Sequence, residues 1–380
     1  MLSGLKETEE QVLKVVREFA QNEVKPRARQ IDEEENVPQD LIDRMRALGL
    51  FSIYIPEKYG GAGLGFELLV RVIEEISKAC PSTALVLDGA LTLFAEPILM
   101  FGSEELKKRY LTQVAQGAVG GLAITEPGAG SDAASIRTTA VRKGSSFVVN
   151  GTKLFISNGR IAKFFVFDAV TDSGKRHRGI TTFVVDAGTP GLRISRDIRK
   201  MGLRGSSTVE LVFEDVEVPE ENIVGQLNDG FRVIMETLDA GRIGIAAQAL
   251  GIAEAAYEEA LEYSKNRKQF GQAISEFEGI QFKLADMATR IEASRLLTYE
   301  AARLWAVGQR AIKLASMAKM YASETAMFVA KEAIQIFGGY GYTKDFDVER
   351  HLRDAKITEI YEGTNEIQRI VIAREILKGH

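Results

Sequence analysis

Cysteine is almost missing from this chain. Cys80 is the only one in 380 residues, so no intramolecular disulfide can form and a reducing compartment is expected. It sits beside Pro81 before an apolar run and reads as a buried structural thiol. Histidine is scarce too: His177, His351 and the terminal His380 stand far apart. With no H-E-x-x-H, no Cys/His cluster and no visible carboxylate cage, no metal site is expected. His177, within Gly-Lys-Arg-His-Arg-Gly, reads as a solvated loop residue. G-x-S-x-G does not occur, which removes the common hydrolase elbow. The glycines at 60–65 fail as G-x-G-x-x-G because Phe66 takes the last position, and no nucleotide-binding βαβ signal is found. A net charge of -5 provides no basic surface for nucleic acid. No uncharged run approaches the length of a bilayer span, and the amphipathic start has no apolar signal core. A cytoplasmic or organelle-matrix protein is therefore expected.

What is present is ordinary globular composition, 45% apolar and 27% charged, in a chain long enough for two or three packed units. Proline divides it. Six of the 8 fall between Pro26 and Pro127, Pro190 and Pro219 follow, and none comes later, so the remainder is free to form long helices. Ile245, Ala249, Ile252 and Ala256, then Ile280, Leu284, Met287 and Ile291, recur at helical spacing and read as bundle core. The N-terminal part reads as shorter helices, with Pro38 opening one segment, Gly49 closing it and 60–65 forming a turn-rich connector. Between them, β-branched and aromatic runs alternate with Gly, Asn and Asp turns, and Asn150–Gly151 is a hairpin signal. The expectation is a mainly α protein with a central β domain: helical over 1–120, β over 121–225 and helical again over 226–380.

Four segments could carry chemistry. Residues 122–135, LAITEPGAGSDAAS, leave backbone N–H groups and the hydroxyls of Thr125 and Ser131 for a polar ligand. KLFISNG offers Phe155 and Ser157 to a flat ring. In residues 335–356, Gly338–Gly339 permits close backbone approach to a ligand. EIYEGTNEIQR, residues 359–369, places a carboxylate in a glycine-containing loop. In this order the segments resemble the acyl-CoA dehydrogenase family over essentially the whole chain. Residues 123–135 are similar to its first signature, and 335–354 to its second, with Gly338, Gly339, Gly341, Arg350 and Asp354 in place.

That resemblance implies an N-terminal helical domain, a middle β-barrel or sandwich domain and a C-terminal four-helix bundle, in a homotetramer. It implies FAD as cofactor, an acyl-CoA substrate and an electron-transferring flavoprotein as acceptor. Tyr361-Glu362-Gly363-Thr364 is similar to the catalytic loop, which makes Glu362 the base that takes the α-proton while flavin N5 takes the β-hydride. The base of the isovaleryl-type branch would fall at Gly241, which has no proton acceptor, and LDAGRIGIAAQALG is similar to the short-chain, butyryl-type branch. The implied flavin contacts are Leu122, Ile124, Thr125, Gly130, Ser131, Phe155, Ile156, Ser157, Thr364 and Glu366. Arg267, Phe270, Gln335, Ile336, Gly338 and Gly339 are implied to hold the pyrophosphate and adenosine across a subunit interface. Ser131, Asp239, Arg242, Tyr361, Gly363 and Arg374 are implied on the substrate side. The sequence departs from the family pattern at Glu278, where glutamine is common; a carboxylate there would repel a diphosphate or pair with Arg267.

Asp88 stands out in the apolar run 83–102, which is similar to the helix lining the acyl end and has no Lys or Arg between Lys78 and Lys107. It either turns to solvent or a backbone donor, or faces the acyl pocket, where it would suit a cyclic substrate such as cyclohexane-carboxyl-CoA. A flavin oxidase and a non-catalytic binding relative are the other readings of the same scaffold.

Overall fold

The chain folds in the order its prolines suggest. The structure, a computed structural model, describes residues 7–309 and 311–378; His380 lies outside the described residues. Helices α1 (Glu7–Phe19), α2 (Ala28–Glu34), α3 (Gln39–Ala47) and α4 (Phe66–Ala79) come first. Each buries one stripe, such as Leu13 and Val16 on α1 or Leu41, Ile42 and Met45 on α3. Pro38 precedes α3, and Gly49 after its end adopts φ +71°, which a side chain would resist.

The sequence of helix α5 (Pro81–Phe101) is broken by Asp88 and Glu96 into short uncharged runs, although it is apolar as a whole. Its 21 residues, with mean hydropathy 1.7, are apolar and long enough to cross a bilayer by length and composition. That apolarity serves the interior of the fold, since 83% of the stretch is buried there. Cys80, which precedes it, is buried, as its sequence context suggests.

Eight strands follow: β1 (Gly120–Ala123), β2 (Thr139–Lys143), β3 (Ser146–Ser157), β4 (Phe164–Val170), β5 (Ile180–Asp186), β6 (Leu192–Asp197), β7 (Thr208–Pro219) and β8 (Ile223–Val224). They pair in the order β6-β7-β3-β2-β4-β5-β8, with β1 parallel to β4. In a flat sheet β7 and β4 would lie about 14 Å apart. Phe213 of β7 and Phe167 of β4 are 4.8 Å apart between ring centroids, so the sheet curls over a single core. Strand β4 is buried on both faces. Phe165 and Phe167 enter the sheet core, while Phe164 and Val166 enter the helical core. The β unit is thereby fused to the helices that carry the site.

Asn150–Gly151 is not a hairpin turn. β3 runs straight through it with a bulge, and the Asn150 side chain bonds across to Asp215, donating at 3.0 Å and accepting its N–H at 2.9 Å. The turn joining β2 and β3 lies at Gly144, where φ is +64°.

The C-terminal helices are three long and two short: α6 (Gly230–Asn266), α7 (Glu278–Ala306), α8 (Ile312–Phe337), α9 (Val348–Thr358) and α10 (Asn365–Leu377). The short pair packs along α8. Helix α9 also ties the three parts of the chain together. Asp354 accepts the Leu203 N–H at 2.6 Å, and Arg353 pairs with Asp32 at 2.7 Å while donating to the Met201 carbonyl.

Replacing Arg353 by Met leaves the largely buried Asp32 carboxylate with only the weaker Arg204 pair at 3.8 Å. A loss of about 2–3 kcal/mol is expected, somewhat below a fully buried pair, read as a lower urea midpoint.

Candidate active site

The loop from Tyr361 to Thr364 joins α9 to α10, and its backbone is unusual. Glu362 has φ +54° and Gly363 has φ +90°, two consecutive residues in the left-handed region. For glutamate this costs on the order of 1–3 kcal/mol, so surrounding contacts must enforce it. They are numerous. The Gln368 amide donates to the carbonyls of Glu362 (3.1 Å) and Gly363 (2.8 Å), and Lys319 of α8 donates to Gly363 at 2.8 Å. Thr364 caps α10 by accepting the Ile367 N–H, and the Tyr361 hydroxyl donates to Gln248 of α6. Gln248 in turn donates to the Pro81 carbonyl at 3.0 Å, linking the loop to α5.

The result is a carboxylate kept from water. Glu362 is half-buried as a residue, but its Oε2 is enclosed without a hydrogen-bond partner. Burial pushes the carboxyl up to about 7, against the lowering pull of Arg242 and Lys319. A Cβ added at Gly241 would lie 2.8 Å from this oxygen and 2.7 Å from Leu93. Gly241 of α6 therefore leaves the space that Glu362 occupies. A side chain there would push on the tips of Glu362 and Leu93.

One turn further along α6, Gly244 does the same for Asp88. A Cβ at Gly244 would run into Asp88 Oδ1. Asp88 is fully buried; Oδ1 accepts from the Thr92 hydroxyl at 2.8 Å and Oδ2 has no partner. The expectation that it turns to solvent or a backbone donor fails: its donor is a side-chain hydroxyl in the same helix, which widens into a π-type turn over Gly89–Ala95. Burial raises its carboxyl to about 7, with Thr92 lowering it and Glu362 raising it. Residues three apart on a helix lie about 5–6 Å apart at Cβ, which places the two carboxylates within roughly 10 Å. At that separation two charges repel by about 1–2 kcal/mol, enough to make their titrations interdependent.

The other expected residues fall into two groups. Leu122 lies in β1, Ile124 and Thr125 follow it, and Phe155–Ser157 end β3. These segments touch: the Thr125 carbonyl accepts the Leu154 N–H at 2.7 Å, and the buried Lys153 ammonium reaches the Ile124 carbonyl at 3.1 Å and Glu126 at 2.8 Å. Burial works against the Glu126 charge, and Lys153 more than offsets it, holding that carboxyl below its usual range. Phe155 (φ +61°) is 58% exposed, Gly130 and Ser131 are exposed, and Ile156 points into the sheet core, leaving only its backbone for a ligand. In the second group, Arg267 lies over the Tyr340 ring at 5.7 Å, beside Gly338 and Gly339 at the end of α8. Gln335 is exposed and Ile336 buried in the last turn of α8, and Phe270, at a tight two-stranded turn, is 94% exposed. Glu278 begins α7 and is exposed.

Asp239 and Arg242 are buried and paired at 2.5 Å, with Arg242 Nε left unpartnered. Arg374 and Glu366 are exposed on α10. Arg350 and Asp354 of the second signature are buried structural groups. Lys319, Gln368, Gln248 and Gly244 were not anticipated. A signal existed for Lys319, which interrupts a buried stripe of small residues, Ala315, Ala318, Ala322 and Ala326.

Comparison with known proteins follows the same divisions. The descriptions "Acyl-CoA dehydrogenase, N-terminal domain", "middle domain" and "C-terminal domain" match residues 6–118, 121–216 and 228–377. The chain is 48% identical over 375 residues to an acyl-CoA dehydrogenase of Bacillus subtilis, covering 98% of this chain and 99% of that one. It is similar to the structure of butyryl-CoA dehydrogenase from Megasphaera elsdenii, with TM-score 0.97, 43% identity and coverage of 99% and 100%. A chain from work on the electron transferring flavoprotein of Acidaminococcus fermentans and flavin-based electron bifurcation gives TM-score 0.98, 47% identity and full coverage of both chains.

Gly244→Ala should lower stability. The new methyl meets Asp88, an overpacking cost of about 1–3 kcal/mol that outweighs the roughly 1 kcal/mol gained in helix propensity. Gly279→Ala on α7, with open space around it, should gain stability in the same urea titration.

Proposed function

The chain belongs to the acyl-CoA dehydrogenase family, FAD-dependent oxidoreductases that desaturate acyl-CoA thioesters, and we propose that Glu362 is the base that takes the α-proton of a short-chain substrate. The observation that carries this assignment is the Glu362 Oε2, enclosed, without a partner, and fronted by a glycine. A carboxylate out of water gains basicity, and proton removal from a weakly acidic carbon requires it. The backbone N–H of Glu362 then stands near the thioester, where a donor stabilises the developing oxyanion.

The residues present fit FAD. Phe155 offers an exposed aromatic face on a backbone held open by Lys153, and no neighbouring atom lies within 4 Å of the space a Cβ would take at Gly128, Gly130, Gly338 or Gly339. Leu122, Ile124, Thr125, Gly130, Ser131, Phe155, Ile156, Ser157, Thr364 and Glu366 would hold the ring system. Arg267, Phe270, Gln335, Ile336, Gly338 and Gly339 would hold the diphosphate and adenosine; a guanidinium suits a diphosphate by donating twice. FAD supplies the acceptor for the hydride that leaves the β-carbon. Glu362 holds the α-proton on an Oε2 that the surrounding structure encloses.

Arg242, through its free Nε, and Asp239 are proposed to meet the coenzyme A portion, with Arg374, Ser131, Tyr361 and Gly363 also on the substrate side. Asp88 is proposed to border the acyl pocket. The exposed aromatics Phe270 and Tyr342 support contact between subunits, as in a homotetramer. An electron-transferring flavoprotein as acceptor, a role in fatty acid metabolism and a cytoplasmic or organelle-matrix location complete the reading.

Glu362 accepts a proton only when ionised, so bleaching of bound FAD by butyryl-CoA should rise with pH through about 7. Glu362→Gln should slow bleaching by about 10²–10⁴-fold with FAD retained; bleaching at the wild-type rate removes the assignment. Asp88→Asn, compared on butyryl-CoA and cyclohexane-carboxyl-CoA, should slow the two unequally. Equal losses, or none, take Asp88 out of the acyl pocket.

A further inference from the structure

We propose that Lys319 is a positioning residue for the reaction: its buried ammonium holds the Glu362–Gly363 turn in its left-handed form and supplies a cation against which the base ionises. This rests on Glu362 being the base.

Lys319 is fully buried in the middle of α8. An ammonium taken out of water needs acceptors, and those it has belong to the catalytic loop and the helix that follows. It donates to the Gly363 carbonyl at 2.8 Å and to Asn365 Oδ1 at 3.0 Å. The Asn365 amide is itself fixed by Ser323, one turn along α8, at 3.0 Å. Gln368, also fully buried, donates to both the Glu362 and Gly363 carbonyls. The two peptides that bear the positive φ values thus have their carbonyls engaged from α8 and the first turn of α10. With those carbonyls engaged, the Glu362 side chain extends to the side where Gly241 leaves room.

The charged groups around this turn include Arg242 from α6, Lys319 and Glu324 from α8, Glu359 from the end of α9, Glu366 and Arg369 from α10 and Asp88 from α5. Arg242 is already paired with Asp239, whereas the other acceptors of Lys319 are neutral amide oxygens. Lys319 is therefore a cation near the base with no direct carboxylate partner of its own among the described residues. Burial holds its ammonium down at about 7, with Glu362 raising it and Arg242 lowering it. Protonated Lys319 favours ionised Glu362, and the clamp loses its charge as pH rises above that value.

The test is anaerobic single-turnover bleaching of the FAD-loaded enzyme by butyryl-CoA across pH, with FAD content measured alongside. Lys319→Met should keep FAD but bleach at least about tenfold more slowly, with the ascending limb of the pH profile moved up by about half a unit or more. Lys319→Arg should bring that limb back toward wild type. Gln368→Leu, which removes donors but no charge, should slow bleaching with the limb unmoved. A folded Lys319→Met enzyme that bleaches within about twofold of wild type on an unchanged profile overturns the proposal. If Lys319→Met does not fold, wild-type bleaching by Gln368→Leu overturns the clamp. Failure of the base assignment is separate, because it shows in Glu362→Gln alone.

Discussion

A carboxylate oxygen enclosed without a hydrogen-bond partner does not stay so by its own preference. At Glu362 the unfavourable placement is imposed by the backbone, and the backbone is imposed by neighbours: two left-handed residues whose carbonyls are held by Lys319 and Gln368. On the proposed assignment of Glu362 as base, its basicity would originate in these amide and ammonium contacts. Most of what surrounds the loop can be understood as support for that placement. Tyr361 anchors it to α6 through Gln248, and Gln248 anchors it to α5.

The same logic extends outward. Strand β4 alternates its side chains between two cores, which ties the sheet bearing the proposed flavin segments to the helices bearing the proposed base. Asp354 and Arg353 repeat the connection at the far end, tying α9 to both the β unit and α2. Proton acceptor and hydride acceptor must sit on opposite sides of one carbon–carbon bond, and a rigid joint between their supports keeps them in register.

Much of this was legible in the sequence, for identifiable reasons. Proline and helical periodicity report the backbone directly, so the order helical, β, helical could be read from Pro219 onward and from stripes such as Ile245, Ala249, Ile252 and Ala256. Glu362 stood out in the sequence because its loop motif is long. Asn150–Gly151 misled because local turn preference lost to a cross-strand bridge with Asp215. Helix α5 is apolar enough to pass by length and composition, yet Asp88 and Glu96 leave no uncharged run of that length. Gly244 was not legible, and Lys319 only as a charge interrupting a stripe of small residues. Their importance depends on what lies opposite them, residues more than forty positions away, and no local pattern encodes that.

Gly241 has a consequence for how such enzymes can diverge. The helix position and the loop position open onto one small volume, so carboxylates at both would compete for it. If Glu362 is the base, as proposed, a lineage moving that base from loop to helix would have to change two coupled positions together, which would make the place of the base a slow-changing mark of ancestry.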